Sequence, residues 1–518
     1  MEPLAAATTE ASTLATQTGT DFVPVLTQLT AAYLDVNGNI KTKHQPRYKN
    51  IVARFKQLYG CEPAFFCRAP GRVNIIGEHI DYCGYAVLPA AIEQDFVMAY
   101  VVSDKSEIEV NNIDKDQFPA ERLSTEPFQK FKEGHHWINY FLCGYKAVLA
   151  IDESYYNKVP APKGMKILID SHVPPAAGVS SSSAFTVCAA VTTMHANNLH
   201  EVIPKGDLSK MCVTAERMAG TACGGMDQTI SIFAEMGKAK LIEFNPTLKA
   251  IDVAVPSSVS LVIANSLTPS PKLLTVGTRY NKRVVECRFG LYIIAIKLGK
   301  AATYGDVKYK NFYELQTELG YSFDQMLDLV KTHLKKGGYS HDDVKKALNV
   351  GDLSNILKDI PYFFEVLQQN VRFHLYERAY HVFGEAQRVY QFKAACDSDA
   401  LSEEDKVHKL GTLMNESHYS CRDLYECSSD QLDELTQLAR DSGALGSRLT
   451  GAGWGGCCVS LVKKDVLASF LDKMHSYYTK EREPGYQLWV TDDLDRYLFA
   501  TQPAKGAFIL DPKYALWM

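Results

Sequence analysis

Pro174-Pro175-Ala176-Ala177-Gly178-Val179-Ser180-Ser181-Ser182-Ser183 leads without a break into a helical period that sets Ala184, Phe185, Val187, Cys188, Val191 and Met194 on one face. No Asp, Glu, Lys or Arg falls between Asp170 and Glu201. A membrane-spanning helix needs about 20 predominantly apolar residues, and prolines, a glycine, serines and threonines interrupt this run. Its small residues instead let backbone amides approach a ligand closely. The helix start adds unpaired N–H groups and the positive end of a dipole, a combination suited to phosphate. The serine hydroxyls add donors and an oxygen ligand for magnesium. Taken alone, the segment reads equally well as a serine-rich loop capping a helix. It is not a Walker A loop, because no Gly-Lys-Ser/Thr is present.

Working outward, residues 65–66, 73–76, 85–88, 96–102, 165–169, 239–244 and 259–264 read as strands, the last apolar enough to be central. Residues 21–60 read as helix with a loop, ending at Gly60. A second helical period over 208–219 carries Leu208, Met211, Cys212, Ala215, Met218 and Ala219 on one face, with Gly220 as its C-cap. Beyond Thr278 long helical periods dominate, over 279–300, 311–336, 340–349, 361–395, 403–425 and 428–442. Ser340 before Asp343 and Ser402 before Asp405 mark two helix starts. Strands return at 457–462, 488–490 and 498–500. The expected class is α+β in two lobes: an N-terminal extension over 1–40, partly loose; an N-terminal domain over 41–265; and a C-terminal domain over 266–518.

The 518 residues are 46% hydrophobic and 22% charged, which argues against a disordered chain and allows two or three domains. With 55 Lys and Arg against 60 Asp and Glu, the net charge of −5 offers no global basic footprint for nucleic acid. Thirteen cysteines without a Cys-x-x-Cys pair point to a reducing compartment, hence a cytoplasmic expectation. The first 20 residues hold no Lys or Arg, so neither a signal nor a transit peptide is expected, and neither is a membrane partner.

Three further segments carry polar groups in unusual settings. Gly71-Arg72-Val73-Asn74-Ile75-Ile76-Gly77-Glu78-His79-Ile80-Asp81-Tyr82 packs an Arg, two acids and a His around glycines. That density suits a polyhydroxylated ligand, whose hydroxyls both donate and accept. Glu216 sits at the edge of the second helix's apolar face. A carboxylate there is either drawn inward to a cation or exposed in a plain salt bridge. Gly224-Gly225-Met226-Asp227-Gln228 sets Asp227 behind two glycines, either as a base or charge stabiliser or as a turn residue capping its own backbone. Gly451-Ala452-Gly453-Trp454-Gly455-Gly456 satisfies G-x-G-x-x-G, but a strand pattern follows it where a dinucleotide site needs a helix. Its small residues imply backbone crowding close to a ligand.

With these four segments in this order, the chain resembles the GHMP kinases and, within them, the galactokinases, over nearly all of its length after residue 40. The signatures are 71–82, 174–184, 224–228 and 446–457. The stretch 413–427 adds a likeness to the N-acetylgalactosamine kinases and similar eukaryotic galactokinases. The resemblance implies a two-lobed GHMP kinase fold, with a mixed sheet in the N-terminal domain and a helix-rich C-terminal domain holding a small antiparallel sheet. It implies an ATP- and Mg2+-dependent sugar 1-kinase. Arg72, Glu78, His79, Asp81, Gly224, Asp227 and Tyr280 would form the sugar site, with Asp227 and Arg72 catalytic. Pro174, Gly178, Val179, Ser180, Ser181, Ser182 and Ser183 would wrap the ATP phosphates, and Trp137 would lie near the adenine. Ser182 and Glu216 would hold magnesium, although the extra Ser183 leaves the register of the serines open. The likeness leans to N-acetylgalactosamine as substrate, with D-galactose the alternative. A catalytically silent sugar and ATP sensor acting on a regulatory partner is the alternative of another class. The family expectation is a monomer.

Overall fold

Long, almost wholly buried strands build the larger sheet of the computed structural model, which describes residues 21–29, 33, 44–134, 136–159, 161–220, 222–270, 277–479 and 494–511. In chain order the strands are β1 (Val25–Leu26), β2 (Phe65–Ile76), β3 (Leu88–Ser103), β4 (Glu107–Asn112), β5 (Glu121–Ser124), β6 (Gly164–Ser171), β7 (Ala239–Glu243), β8 (Lys249–Val253), β9 (Val259–Asn265), β10 (Gly446–Leu449), β11 (Cys457–Lys463), β12 (Leu498–Thr501) and β13 (Phe508–Leu510). The large sheet runs β1-β13-β2-β3-β6-β4-β5, and a second sheet runs β10-β11-β9-β12. β7 and β8 form a separate hairpin. The β4–β6 and β1–β13 pairs are parallel and their neighbours antiparallel, so the large sheet is mixed. The small sheet is antiparallel throughout.

The helices of the first half are α1 (Gln45–Tyr59), α2 (Ile138–Ala150), α3 (Glu153–Tyr156), α4 (Ser181–Ala196), α5 (Lys205–Met218) and α6 (Met226–Phe233). Then come α7 (Tyr280–Lys297), α8 (Phe312–Leu319), α9 (Phe323–His333), α10 (His341–Leu348), α11 (Phe363–Gln369), α12 (Leu375–Asp397), α13 (Glu403–Asp423), α14 (Asp430–Asp441) and α15 (Leu467–Thr479). This is the helix-rich α+β arrangement expected from the sequence, with a mixed sheet, a small antiparallel sheet and the added β7–β8 hairpin. Among the described residues, no helix is long and apolar enough to cross a membrane.

The structure differs from the sequence reading in several places. The expected strands at 65–66 and 73–76 are one strand, β2, whose pairing with β3 shifts register between Pro70 and Arg72 and again between Asn74 and Ile76. Residues 85–87 precede β3 and touch β7 only through a bridge from Val87 to Ile242. The single helix expected over 311–336 breaks where Gly320 turns left-handed (φ 64°) and Ser322 forms a reciprocal capping box with Gln325. The one expected over 361–395 is interrupted between α11 and α12, where Phe373 pairs with Tyr339 through both backbone groups. Ser340 makes the expected capping box with Asp343, whereas the Ser402 hydroxyl accepts from the Asp405 amide and donates to the Asp405 carboxylate without the reciprocal bond to its own backbone N–H. The strand expected over 488–490 lies outside the described residues.

A cut after residue 265 separates β9 from both of its partners, β11 and β12, so strand pairing assigns β9 to the C-terminal sheet. Conversely, β13 returns from the far end of the chain to pair with β2, and β1 pairs with β13. Part of the 1–40 extension is therefore built in: Val23, Leu29 and Tyr33 are buried, and Tyr33 donates to Asp95.

Helix α4 explains the uncharged run. It is buried on all sides, not on one face, and every residue from Ser183 to Met194 is buried. Tight packing against α2 leaves no room at Gly144, where a Cβ would lie 2.3 Å from the Thr186 carbonyl oxygen. A helix apolar all round belongs in a core.

Two buried carboxylates anchor the C-terminal helices. Burial alone would raise the Glu286 carboxyl, but Arg378 and Arg283 overcome it and hold the group at about 2 instead of 4.5. Glu385 is likewise held at about 2, burial being outweighed by Arg388 and Arg448. Both groups have lower values folded than unfolded. Their stabilisation is complete above the unfolded value near 4.5 and is lost as pH falls toward 2. Thermal unfolding followed by circular dichroism should show Tm falling by roughly 5 °C or more between pH 5 and pH 3.

Candidate active site

The polar cluster of β2 and the turn after it forms one wall of a cleft enclosing about 330 Å3, open solvent included. Arg72, Glu78, His79, Asp81, Asp227 and Tyr280, each singled out in the sequence, all line it. Arg72 leaves β2 at the register shift. Its Nε donates to Asp227 Oδ1 at 2.7 Å and its Nη1 to the Gly178 carbonyl at 2.6 Å, while its backbone N–H donates to the Val179 carbonyl at 3.1 Å. One buried guanidinium thus joins the sugar-type cluster, the acidic residue after the double glycine and the serine loop.

Asp227 lies in the first turn of α6, where the helix dipole favours a negative charge. The helix begins because Gly225 takes φ 119°, a conformation that side chains rarely adopt. Gly224 has a different reason to be glycine: a Cβ there would lie 2.3 Å from Asp81 Cγ. Asp81 Oδ1 accepts from the Tyr82 amide and Oδ2 from the Met226 amide at 3.4 Å, which ties the two motifs together.

His79 sits at φ 61°, a strained position for a non-glycine residue and one that recurs at functional sites. Its Nε2 lies 2.9 Å from the Ala452 carbonyl, which can only accept, so Nε2 carries a proton. Nδ1 meets the Tyr82 hydroxyl at 3.0 Å. Tyr280 packs against His79 and Tyr82, and burial pushes its phenol well above 10.

Glu78 points away from solvent into a buried network. Its Oε1 accepts from the Gly451 amide at 3.0 Å, and Oε2 pairs with Arg448 at 2.9 Å. Burial raises its carboxyl against the pull of Arg448 and Arg72. Arg448 also donates to the Asn74 carbonyl and to Ser417. Glu385 of α12 accepts from the amides of Gly77 and Glu78 and from Ser417. His381, one turn earlier on α12, lies 3.0 Å from the Glu78 carbonyl. The C-terminal helices therefore hold the 77–79 turn in shape.

The crowding inferred for 451–456 is real. A Cβ on Gly451 would lie 2.1 Å from the Gly178 carbonyl oxygen, and one on Gly456 would lie 2.8 Å from Ala177. The small-residue segment is a backbone wall for the serine loop, and β11 follows it, as the rejection of a dinucleotide site required.

In the loop itself, Ala176 and Ser180 take φ 53° and φ 60°. Pro174, Gly178, Ser181 and Ser182 are half-buried, while Val179, Ser180 and Ser183 are buried. Ser183, not Ser182, donates to Glu216 Oε2, at 3.1 Å. Glu216 is drawn inward from α5, as the buried alternative required. The hydroxyls and Glu216 are hard oxygen donors at a helix start, which suits magnesium carried on phosphates. Among the described residues no group of three or more His, Cys, Asp or Glu could hold a metal alone, so substrate phosphates would complete the set. Trp137 does not line the cleft. It caps α2 and stacks on Phe185 of α4, with centroids 6.1 Å apart, beside the helix start.

Sequence reasoning assigned no role to Arg448, although it lies in the 446–457 signature, and missed Glu385, whose contacts with the 77–79 turn reach across about 300 residues. It also missed Cys223, Met226 and Gln228 of the cleft wall. Their place in or beside 224–228 was the available signal.

Three family signatures match the chain: "Galactokinase galactose-binding signature" over 53–101, "GHMP kinases N terminal domain" over 139–235 and "GHMP kinases C terminal" over 400–480. A Dictyostelium discoideum protein named galactokinase is 38% identical over 514 residues, spanning 94% of this chain and 99% of its own. A Saccharomyces cerevisiae protein of the same name is 32% identical, over 89% and 94% of the two chains. The crystal structure of a Lactococcus lactis galactokinase complexed with galactose superposes with a TM-score of 0.64 at 23% identity, covering 89% of this chain and 99% of that one.

Proposed function

As this chain belongs to the galactokinase family of GHMP kinases and is a sugar kinase using ATP, we propose that it transfers the γ-phosphoryl group of ATP to the anomeric C1 hydroxyl of D-galactose. The sequence likeness leaned to N-acetylgalactosamine. The two relatives reported above, both named galactokinase and matched over 94% or more of their own length, favour galactose. The observation that carries the reaction is the reach of Arg72, which touches Asp227 and the serine loop at once.

In a loose phosphoryl-transfer transition state the protein mainly positions reactants and neutralises charge. Asp227 accepts the C1 proton. The guanidinium beside it favours the carboxylate form and faces the transferring group. His79, Asp81, Gly224 and Tyr280 shape the sugar subsite, and Glu78 sets the backbone at Gly451. The loop amides from Gly178 to Ser183 cradle the β- and γ-phosphates. Ser182 and Glu216 would hold magnesium together with the substrate phosphates, where it would supply charge neutralisation. Trp137 stands on the adenine side. We place sugar binding mainly within 41–265, with α12 and the 446–456 segment of 266–518 as support, and take the working unit to be a monomer.

The test is kcat/KM for both sugars, since specificity is that ratio. Galactose should exceed N-acetylgalactosamine by at least about 10-fold. A ratio below one would return the assignment to N-acetylgalactosamine. Tight ATP and sugar binding without ADP release would favour the sensor.

A further inference from the structure

We propose that Gln228 is a positioning residue that aims the Glu216 carboxylate through Ser183, so that Ser183 orients a metal ligand and is not one itself. This rests on the magnesium–ATP reading of the site.

Gln228 Nε2 lies 3.3 Å from Ser183 Oγ, and Ser183 Oγ lies 3.1 Å from Glu216 Oε2. The three side chains are 0%, 2% and 5% exposed, so none of these bonds is exchanged with solvent. Proton counting fixes their direction. A carboxylate only accepts, so the one hydroxyl proton of Ser183 goes to Glu216. Ser183 can then only accept from Gln228, which requires the amide to present its NH2 group. The amide orientation, otherwise ambiguous, is therefore set by chemistry.

The relay runs one way, from Gln228 on α6 to Ser183 on α4 to Glu216 on α5. Gln228 directly follows Asp227, so the proposed base and the metal-facing carboxylate are fixed from adjacent positions of α6. Ser182, half-buried on the neighbouring position of α4, is left to face magnesium. The four-serine run thereby divides its labour. Outer-shell partners of metal ligands are typically worth about 10- to 100-fold in metal affinity.

Calorimetry on the full chain tests this, with ATP binding measured with and without Mg2+ for wild type, Gln228→Leu, Ser183→Ala and the double variant. Each single variant should lose about 10- to 100-fold of the Mg2+-dependent gain in ATP affinity. The double variant should lose no more than the worse single one, because both remove the same relay. Mg2+-free ATP affinity should stay within about 2-fold, because the phosphate-cradling groups are backbone amides that these substitutions keep, and a merely structural role would not preserve it. If Gln228→Leu does not fold, Gln228→Met replaces it, since a thioether of similar length cannot donate to Ser183. Additive losses, or an unchanged Mg2+ gain in a folded Gln228 variant, would overturn the proposal. A wild-type protein indifferent to Mg2+ would overturn the metal reading beneath it, a distinguishable failure.

Discussion

Asp227→Asn should lower kcat by about 10²- to 10⁴-fold, the range general-base help is worth, while leaving ATP affinity near that of wild type. The substitution keeps the shape of the side chain and its place in the first turn of α6. What it removes is the proton acceptor and the charge opposite Arg72, 2.7 Å away. Arg72 retains its bond to the Gly178 carbonyl, so the serine loop stays anchored. Steady-state rates with saturating sugar and ATP, alongside calorimetric affinities, separate the two effects. A variant within 10-fold of wild-type turnover would mean that the C1 proton leaves by another route.

Arg448→Met should destabilise the fold by about 3–5 kcal/mol. Arg448 is inaccessible and faces two buried carboxylates, Glu78 at 2.9 Å and Glu385 at 3.9 Å. Removing the guanidinium leaves Glu78 without its ion-pair partner, while Glu385 keeps Arg388 at 2.8 Å. Protonation relieves the charge most easily at Glu78, whose carboxyl burial already raises. The same change loosens the 77–79 turn, because Glu385 holds the Gly77 and Glu78 amides. Urea unfolding measures the loss. A value under about 1 kcal/mol would show that solvent reaches this network.

The four signature segments were legible because their chemistry is local. Arg72, His79, Asp81 and Asp227 stand within a few residues of glycines that the backbone itself demands, as the contact between Gly224 and Asp81 shows. The uncharged run was legible as a site but only half explained. Its helix lacks charge chiefly because it is enclosed on every side, and a one-sequence periodicity cannot tell a one-faced helix from a surrounded one. The serine register stayed open for a related reason. Ser182 and Ser183 differ by one step of a helix, and only the position of Glu216 on another helix decides which of them turns inward.

Long-range pairing was not legible. β9 joins strands about 200 to 240 residues away, and β13 crosses back to β2, so no composition shift near 265 could show which sheet β9 joins. Glu385 reads as an ordinary helix residue, and the 446–457 signature does not say what Arg448 pairs with, until the fold brings both beside the 77–79 turn. Helix interruptions at Gly320 and Ser322 were signalled locally, by a left-handed glycine and a capping serine, and were overlooked because the apolar period runs through them.

The most direct measurement is 31P NMR of the wild-type protein incubated with ATP, Mg2+ and either D-galactose or its C1-blocked methyl galactoside. A new phosphate resonance coupled to the anomeric proton should appear with galactose and be absent with the methyl galactoside. Phosphorylation of the blocked sugar, or ADP formation without any anomeric phosphate, would contradict the placement of Asp227 and Arg72 at the C1 hydroxyl.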